Sequence, residues 1–176
     1  MSEDPDGLSH QDAERRARMV DVGHKAATRR VAVAEGRIVL AAATFRALVA
    51  GSTPKGDPLL IARIAGIQAG KRTAELIPLC HPIALDRLDL ELELEPGASA
   101  VRAVATASAK ARTGVEMEAL TAVGIALLTL YDMLKGIERG MRIDGIRLLS
   151  KSGGTGGDWT VIAPDQPDEH HSTRLE

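Results

Sequence analysis

The chain has 176 residues, 44% hydrophobic and 26% charged, the profile of one globular domain with a full-sized core. Its net charge of −2 argues against general nucleic-acid binding, which rests on an excess of Lys and Arg, and aromatics at 2% leave almost no platform for stacking bases. The single cysteine, Cys80, excludes an intrachain disulfide and a cysteine-rich zinc site, and with no apolar leader at the N-terminus it points to a reducing cytoplasm.

Taken in order, residues 1–18 are polar and read as a disordered N-terminal arm ahead of a single domain over 19–160. Thr28 to Leu40 carries Val31, Val33, Ile38 and Leu40 about Glu35-Gly36, which predicts a first strand with a turn or bulge near Gly36. Ala41 to Ala50 sets Phe45, Leu48 and Val49 at helical spacing and stops at Gly51. Asp57 as N-cap and Pro58 as first residue open a second helix, whose Leu60, Ile61, Ile64 and Ile67 carry it to about Gly70. Beyond Lys71, Pro78 and Pro82 bracket Leu79-Cys80-His81 and predict a rigid loop.

Leu88 to Glu95 alternates strictly, giving a strand with one apolar and one acidic face. After the turn Pro96-Gly97-Ala98-Ser99, Val101 to Ala109 completes an antiparallel hairpin. Thr113 to Lys135 is the central helix, apolar from Ala119 to Tyr131 apart from two threonines. That uncharged middle is shorter than the roughly 20 residues of a membrane span, so no membrane is expected. A helix apolar on every side is usually covered on every side. Met141 to Leu149 is a last strand interrupted by Gly145; a glycine-rich run follows, and 161–176 reads as a disordered tail. The order predicts an α+β fold, a ferredoxin-like split β-α-β-β-α-β with an antiparallel sheet and its helices on one face. Such a two-layer monomer leaves the outer side of the central helix bare, so an oligomer is expected to cover it.

Charges gather at the two mouths of that helix. Asp132 and Lys135, three apart, share one face; a surface ion pair has the same spacing, but a lysine beside a carboxylate can also hold phosphate or move a proton. Glu116 and Glu118 suit the helix N-terminus. Glu118 and Asp132 on one continuous helix stand about 21 Å apart, so either an extended ligand or a pocket shared between subunits is needed to use both. Lys55 follows Pro54, Lys71 follows Gly70, and Lys151 precedes Ser152-Gly153-Gly154. Glycine lets backbone N–H groups approach an anion, and three such lysines favour a polyanionic ligand, although the P-loop order is absent. Cys80 and His81 have no partners at metal-ligand spacing, so no metal and no cofactor is expected, and His81 reads as a ligand contact.

Over Met19 to Trp159 the chain resembles a known family, the cyclic pyranopterin monophosphate synthases of molybdenum cofactor biosynthesis. The resemblance rests on Met19-Val-Asp-Val22, Lys55-Gly-Asp57, Ala62-Arg-Ile-Ala-Gly-Ile-Gln68 with Lys71-Arg-Thr73, Leu76-Ile-Pro-Leu-Cys-His-Pro82, Thr113-Gly-Val-Glu-Met-Glu-Ala-Leu-Thr121, Tyr131-Asp-Met133 and Arg147-Leu-Leu149 with Lys151-Ser-Gly-Gly154. It implies a lyase taking a cyclised dihydro-GTP derivative to cyclic pyranopterin monophosphate with release of pyrophosphate. It further implies a ferredoxin-like fold, a homohexamer built as a trimer of dimers with the pocket near the dimer interface, and transient contact with other enzymes of the pathway. Carried over by position, it implies Asp132 as general acid/base and Lys135 as catalytic lysine. It implies Leu79, Cys80, His81, Met117 and Glu118 as substrate-binding, with Glu116 beside them, and Lys55, Lys71, Lys151 and Arg30 as anion contacts. Arg112 and Gly70 depart from the usual lysine and alanine. Which subunit supplies each residue stays open. Two competing readings are a nucleotide-binding module without turnover, against which stand Asp132 and Lys135, and a purely structural oligomer, which leaves the lysines unexplained.

Overall fold

A computed structural model describes residues 17–154 and 156–161; the disordered arm and tail expected at the ends fall, apart from residues 17, 18 and 161, outside the described residues. Alternation builds the sheet. In β1 (Thr28–Val39), Ala32, Ala34 and Ile38 are fully buried on one face, while Val31, Val33, Glu35 and Arg37 take the other. β2 (Arg87–Glu95) and β3 (Ala100–Ala111) form the expected hairpin, running from Arg87 opposite Ser108 to Glu95 opposite Ala100. β4 (Arg142–Ser152) pairs with β1, and β5 (Trp159–Thr160), which has too few residues to show a pattern, adds a short pairing to β4. The order is β2-β3-β1-β4-β5 with every neighbouring pair antiparallel. The fold is α+β as expected, with β3 inserted between β1 and β2.

The helices lie on one face of this sheet. α1 (Ala42–Val49) follows β1, and α2 (Pro58–Gly70) is capped as expected, the Asp57 carboxylate accepting from the N–H groups of Leu59 at 3.0 Å and Leu60 at 3.1 Å. α4 (Glu116–Leu134) packs on β1, β3 and β4 and against α2. Its Ala119, Ala122, Val123, Ala126, Leu127, Leu130 and Leu134 have no exposed surface, and neither do Ala103, Ala105 and Ala107 of β3. Small residues on both sides let helix and sheet close up, and each fully buried leucine contributes about 1.5–3 kcal/mol. α4 is long and apolar enough to cross a membrane, yet half of its apolar stretch is buried in the protein, as in a core helix.

As expected of a two-layer monomer, the outer side of the helical layer is bare: Leu128 of α4 is 56% exposed, and on α2 Leu60, Ile61 and Ile64 are 53%, 44% and 47% exposed, because among the described residues nothing packs outside that layer. Two details differ from the sequence reading. The irregularity near Gly36 is present, but the extra residues lie on β4, where the register slips opposite Val33/Ala34 and Glu35/Arg37 and Gly145 takes φ +63°. A one-turn helix, α3 (Thr73–Leu76), interrupts the stretch read as loop, with Thr73 Oγ1 donating to the Gly70 carbonyl at 2.9 Å; one turn has no period to read.

Candidate active site

Asp132 lies in the last turn of α4 between two lysines. Lys135, one turn on, brings Nζ to 2.6 Å from Oδ1. Lys55 comes from the loop that the Asp57 cap fixes ahead of α2, and its Nζ donates to both the carboxylate and the backbone carbonyl of Asp132 at 3.0 Å. Lys135 first, then Lys55, holds the Asp132 carboxyl below the usual aspartate range. The result is an ionised acceptor flanked by two ammonium donors on one chain. All three side chains are about half open to solvent, at 54% for Asp132, 45% for Lys55 and 53% for Lys135.

At the other end of α4, all six residues of the Leu79-Cys80-His81, Glu116 and Met117-Glu118 blocks line one cavity, together with Val20, Val22, Lys25, Ile83, Thr113 and Gly114. His81 Nε2 lies 2.8 Å from the carbonyl oxygen of Val20. A carbonyl only accepts, so Nε2 carries the hydrogen and Nδ1 is left for a ligand. Glu118 is 3% exposed; burial pushes its pKa up, its own backbone N–H opposes this, and the charge of Glu116 adds to the rise. Burial, and then the charge of Glu118, also raises the Cys80 thiol, which keeps it protonated and a poor nucleophile.

A second cavity adjoins the first. Lys25, Arg30, Arg112, Lys151 and the glycines 153, 156 and 157 line it, and it shares Lys25, Thr113, Gly114 and Glu116 with its neighbour. The two form one cleft with a basic end and an end holding a buried carboxyl and an imidazole. Lys151 pairs with Glu116 at 3.1 Å. The Arg30 guanidinium, whose residue lines the basic end, donates to three backbone carbonyls: Gly153 at 3.0 Å, and Ala111 and Arg112 at 3.4 Å each. Lys71 opens instead on a neighbouring hollow that also includes Arg72, Glu75 and Glu118. At Gly70 the end of α2 lies close on β2 and α4: a Cβ there would meet Leu88 Cδ2 at 2.5 Å and the Glu118 carbonyl at 3.0 Å.

A model of the MoaC family matches residues 19–154. The chain belongs to the MoaC family. A protein of Chloroflexus aggregans named cyclic pyranopterin monophosphate synthase is 55% identical over 159 residues, which cover 90% of this chain and 96% of the relative. Relatives of the same name from Rhodospirillum rubrum, 53% identical over 156 residues (89% and 94%), and Thermomicrobium roseum, 51% identical over 152 (86% and 92%), agree. The resemblance read from the motif blocks is thereby borne out.

In this MoaC-family chain the residues singled out from sequence fall into two groups. Leu79, Cys80, His81, Glu116, Met117, Glu118, Lys151 and Arg30 meet in the cleft, with Lys71 behind Glu118. Lys55, Asp132 and Lys135 form the other group, and since α4 is unbroken the two lie about 21 Å apart along it. Sequence reasoning missed Lys25, Val20 and Ile83 in the cleft. Lys25 shares one signal with the other lysines, a glycine within two residues, and its backbone N–H closes a turn on the Val22 carbonyl at 3.0 Å.

Proposed function

We propose that this chain is a cyclic pyranopterin monophosphate synthase in molybdenum cofactor biosynthesis. Its substrate is (8S)-3',8-cyclo-7,8-dihydroguanosine 5'-triphosphate, from which diphosphate is released. The observation that carries this reading is the two-ended cleft, joined through Lys25, Thr113, Gly114 and Glu116. A guanine-derived ring carries N–H donors and ring acceptors, which suit the Glu118 carboxyl and His81. A triphosphate suits the basic end, where Lys25, Arg112 and Lys151 would neutralise the charge that builds as diphosphate departs, with Lys71 close behind Glu118.

Proton transfer falls to the other group. Asp132, held ionised, is the acceptor, and Lys135 and Lys55 are donors as the ring opens and closes. Because Asp132 is too far along α4 to reach its own cleft, a neighbouring subunit supplies it. The exposed Leu60, Ile61, Ile64 and Leu128 support an assembly, which we take to be a hexamer of three dimers in the cytoplasm, in transient contact with the enzymes before and after it.

Asp132→Asn tests the role of that residue. Diphosphate release is expected to fall by about 10²–10⁴-fold, the usual size of a general-base contribution, with binding of the cyclised substrate retained. Unchanged turnover in the variant sinks the acid/base assignment.

A further inference from the structure

Arg30 lines the basic end of the cleft, but most of its fork is turned to the protein. Three of its five N–H bonds point at carbonyls of two separate segments: Ala111 and Arg112 at the end of β3, and Gly153 just past β4. The glycines there are shaped around it. Gly153 and Gly154 take φ of +91° and +82°, a region that L side chains rarely adopt. A Cβ on Gly154 would collide with the Arg30 guanidinium, and one on Gly153 with the carbonyl of Arg29. From the other side the Asp158 carboxylate accepts the Gly153 N–H at 3.1 Å. The segment that carries Lys151 into the cleft is thus clamped between a guanidinium and a carboxylate.

We propose that Arg30 is a positioning residue: it acts on the anion through the Gly153-Gly154 turn and the end of β3, holding Lys151 and Arg112 at the spacing that receives a diphosphate group. This rests on the reading of the cleft as the triphosphate site. The three contacts leave from three separate nitrogens of the planar fork, Nε, Nη1 and Nη2, whereas the donors of a lysine all diverge from one nitrogen and cannot span carbonyls set that far apart, so shape rather than charge is what the position requires. Gly154 is the second half of the same device, because only a residue without Cβ lets the turn lie on the guanidinium.

The test uses the full chain and inorganic pyrophosphate as probe, with affinity read by calorimetry and exchange of the Gly153 amide hydrogen by NMR. Arg30→Lys and Gly154→Ala, the first keeping the charge and the second not touching it, are each expected to weaken pyrophosphate by about tenfold or more, since displacement of a binding group by 1 Å can lose about 10²-fold. Both are expected to speed exchange at Gly153, and to lower kcat as well as raise KM, since the charge that Lys151 and Arg112 meet builds as diphosphate departs. Lys151→Ala is expected to weaken pyrophosphate while leaving that exchange unaltered. Wild-type affinity in Arg30→Lys, beside a weakened Lys151→Ala, overturns the positioning role and leaves the anion site standing. Full affinity in Lys151→Ala overturns the anion site and the inference with it. If Arg30→Lys is too unstable to assay, Gly154→Ala decides alone: wild-type affinity and exchange there refute the proposal.

Discussion

Glu118→Gln keeps the side chain's size and removes its charge. Glu118 is 3% exposed, burial raises its pKa against the pull of its own N–H, and the charge acting on it is that of Glu116, of like sign. A folded-state pKa above the unfolded one means the native protein binds more protons. Stability therefore falls as pH climbs from the ordinary glutamate range through the raised value, and the glutamine variant lacks that slope. A buried polar group without adequate partners costs about 1–3 kcal/mol; Glu118 lines an open cavity, so the low end, about 1 kcal/mol, is the expected gain at neutral pH. In a chain of this size that raises Tm by about 2–4 °C. Calorimetric melts across the pH range should show the variant above wild type near pH ~8 and the two curves converging near pH ~3, below the ordinary glutamate value, where the carboxyl is protonated in both states. The same variant should lose substrate affinity, because a glutamine offers a ring N–H a weaker acceptor. A Tm difference that does not change with pH, or a variant less stable than wild type at neutral pH, refutes the claim of a buried carboxyl that no cation compensates.

Glu35 has the opposite sign. Its side chain is 12% exposed and gripped by Arg102 and Arg147, each at 2.7 Å; burial raises its pKa, but the two guanidiniums outweigh burial and the net shift is downward. Glu35→Gln should cost about 1.5–3 kcal/mol at neutral pH, with the loss shrinking as pH falls through the lowered value, which denaturant melts at neutral and acid pH will check. Mixing inactive Glu118→Ala and Asp132→Ala chains should restore activity if one site draws on two subunits; no recovery after confirmed exchange counts against sharing. Leu128→Glu together with Ile64→Glu should reduce the mass measured by light scattering to a smaller species, and an unchanged mass would show that the bare helical face is not the contact.

Much of the fold was legible in local pattern. Strict alternation from Leu88 to Glu95 marked β2, the Asp57-Pro58 pair marked the start of α2, and the long apolar run with charges at its ends marked α4. The weak points were short or crowded: α3 spans one turn, and the bulge expected at Gly36 sits across the ladder on β4, where Gly145 takes a positive φ, and a glycine on either strand could have carried it. The candidate site was legible as residue types, through the blocks around His81, Glu118, Asp132 and Lys151. Their grouping was not, since Lys25 carries no motif and Glu35 looked like a break in a strand.

By itself, then, the sequence determined the element order, the family and the two charged mouths of α4, because periodicity, caps and motif blocks act over a few residues of chain. Only the tertiary structure decided that Lys55 pairs with Asp132 across 77 residues and that Arg30 reaches Gly153 across 123. It also decided that Glu118 faces the cleft with no cation paired to it among the described residues, while Glu35 has two. Partners so far apart along the chain meet only where packing of β1, β3, β4 and α4 brings their backbones together, and no local rule encodes that meeting.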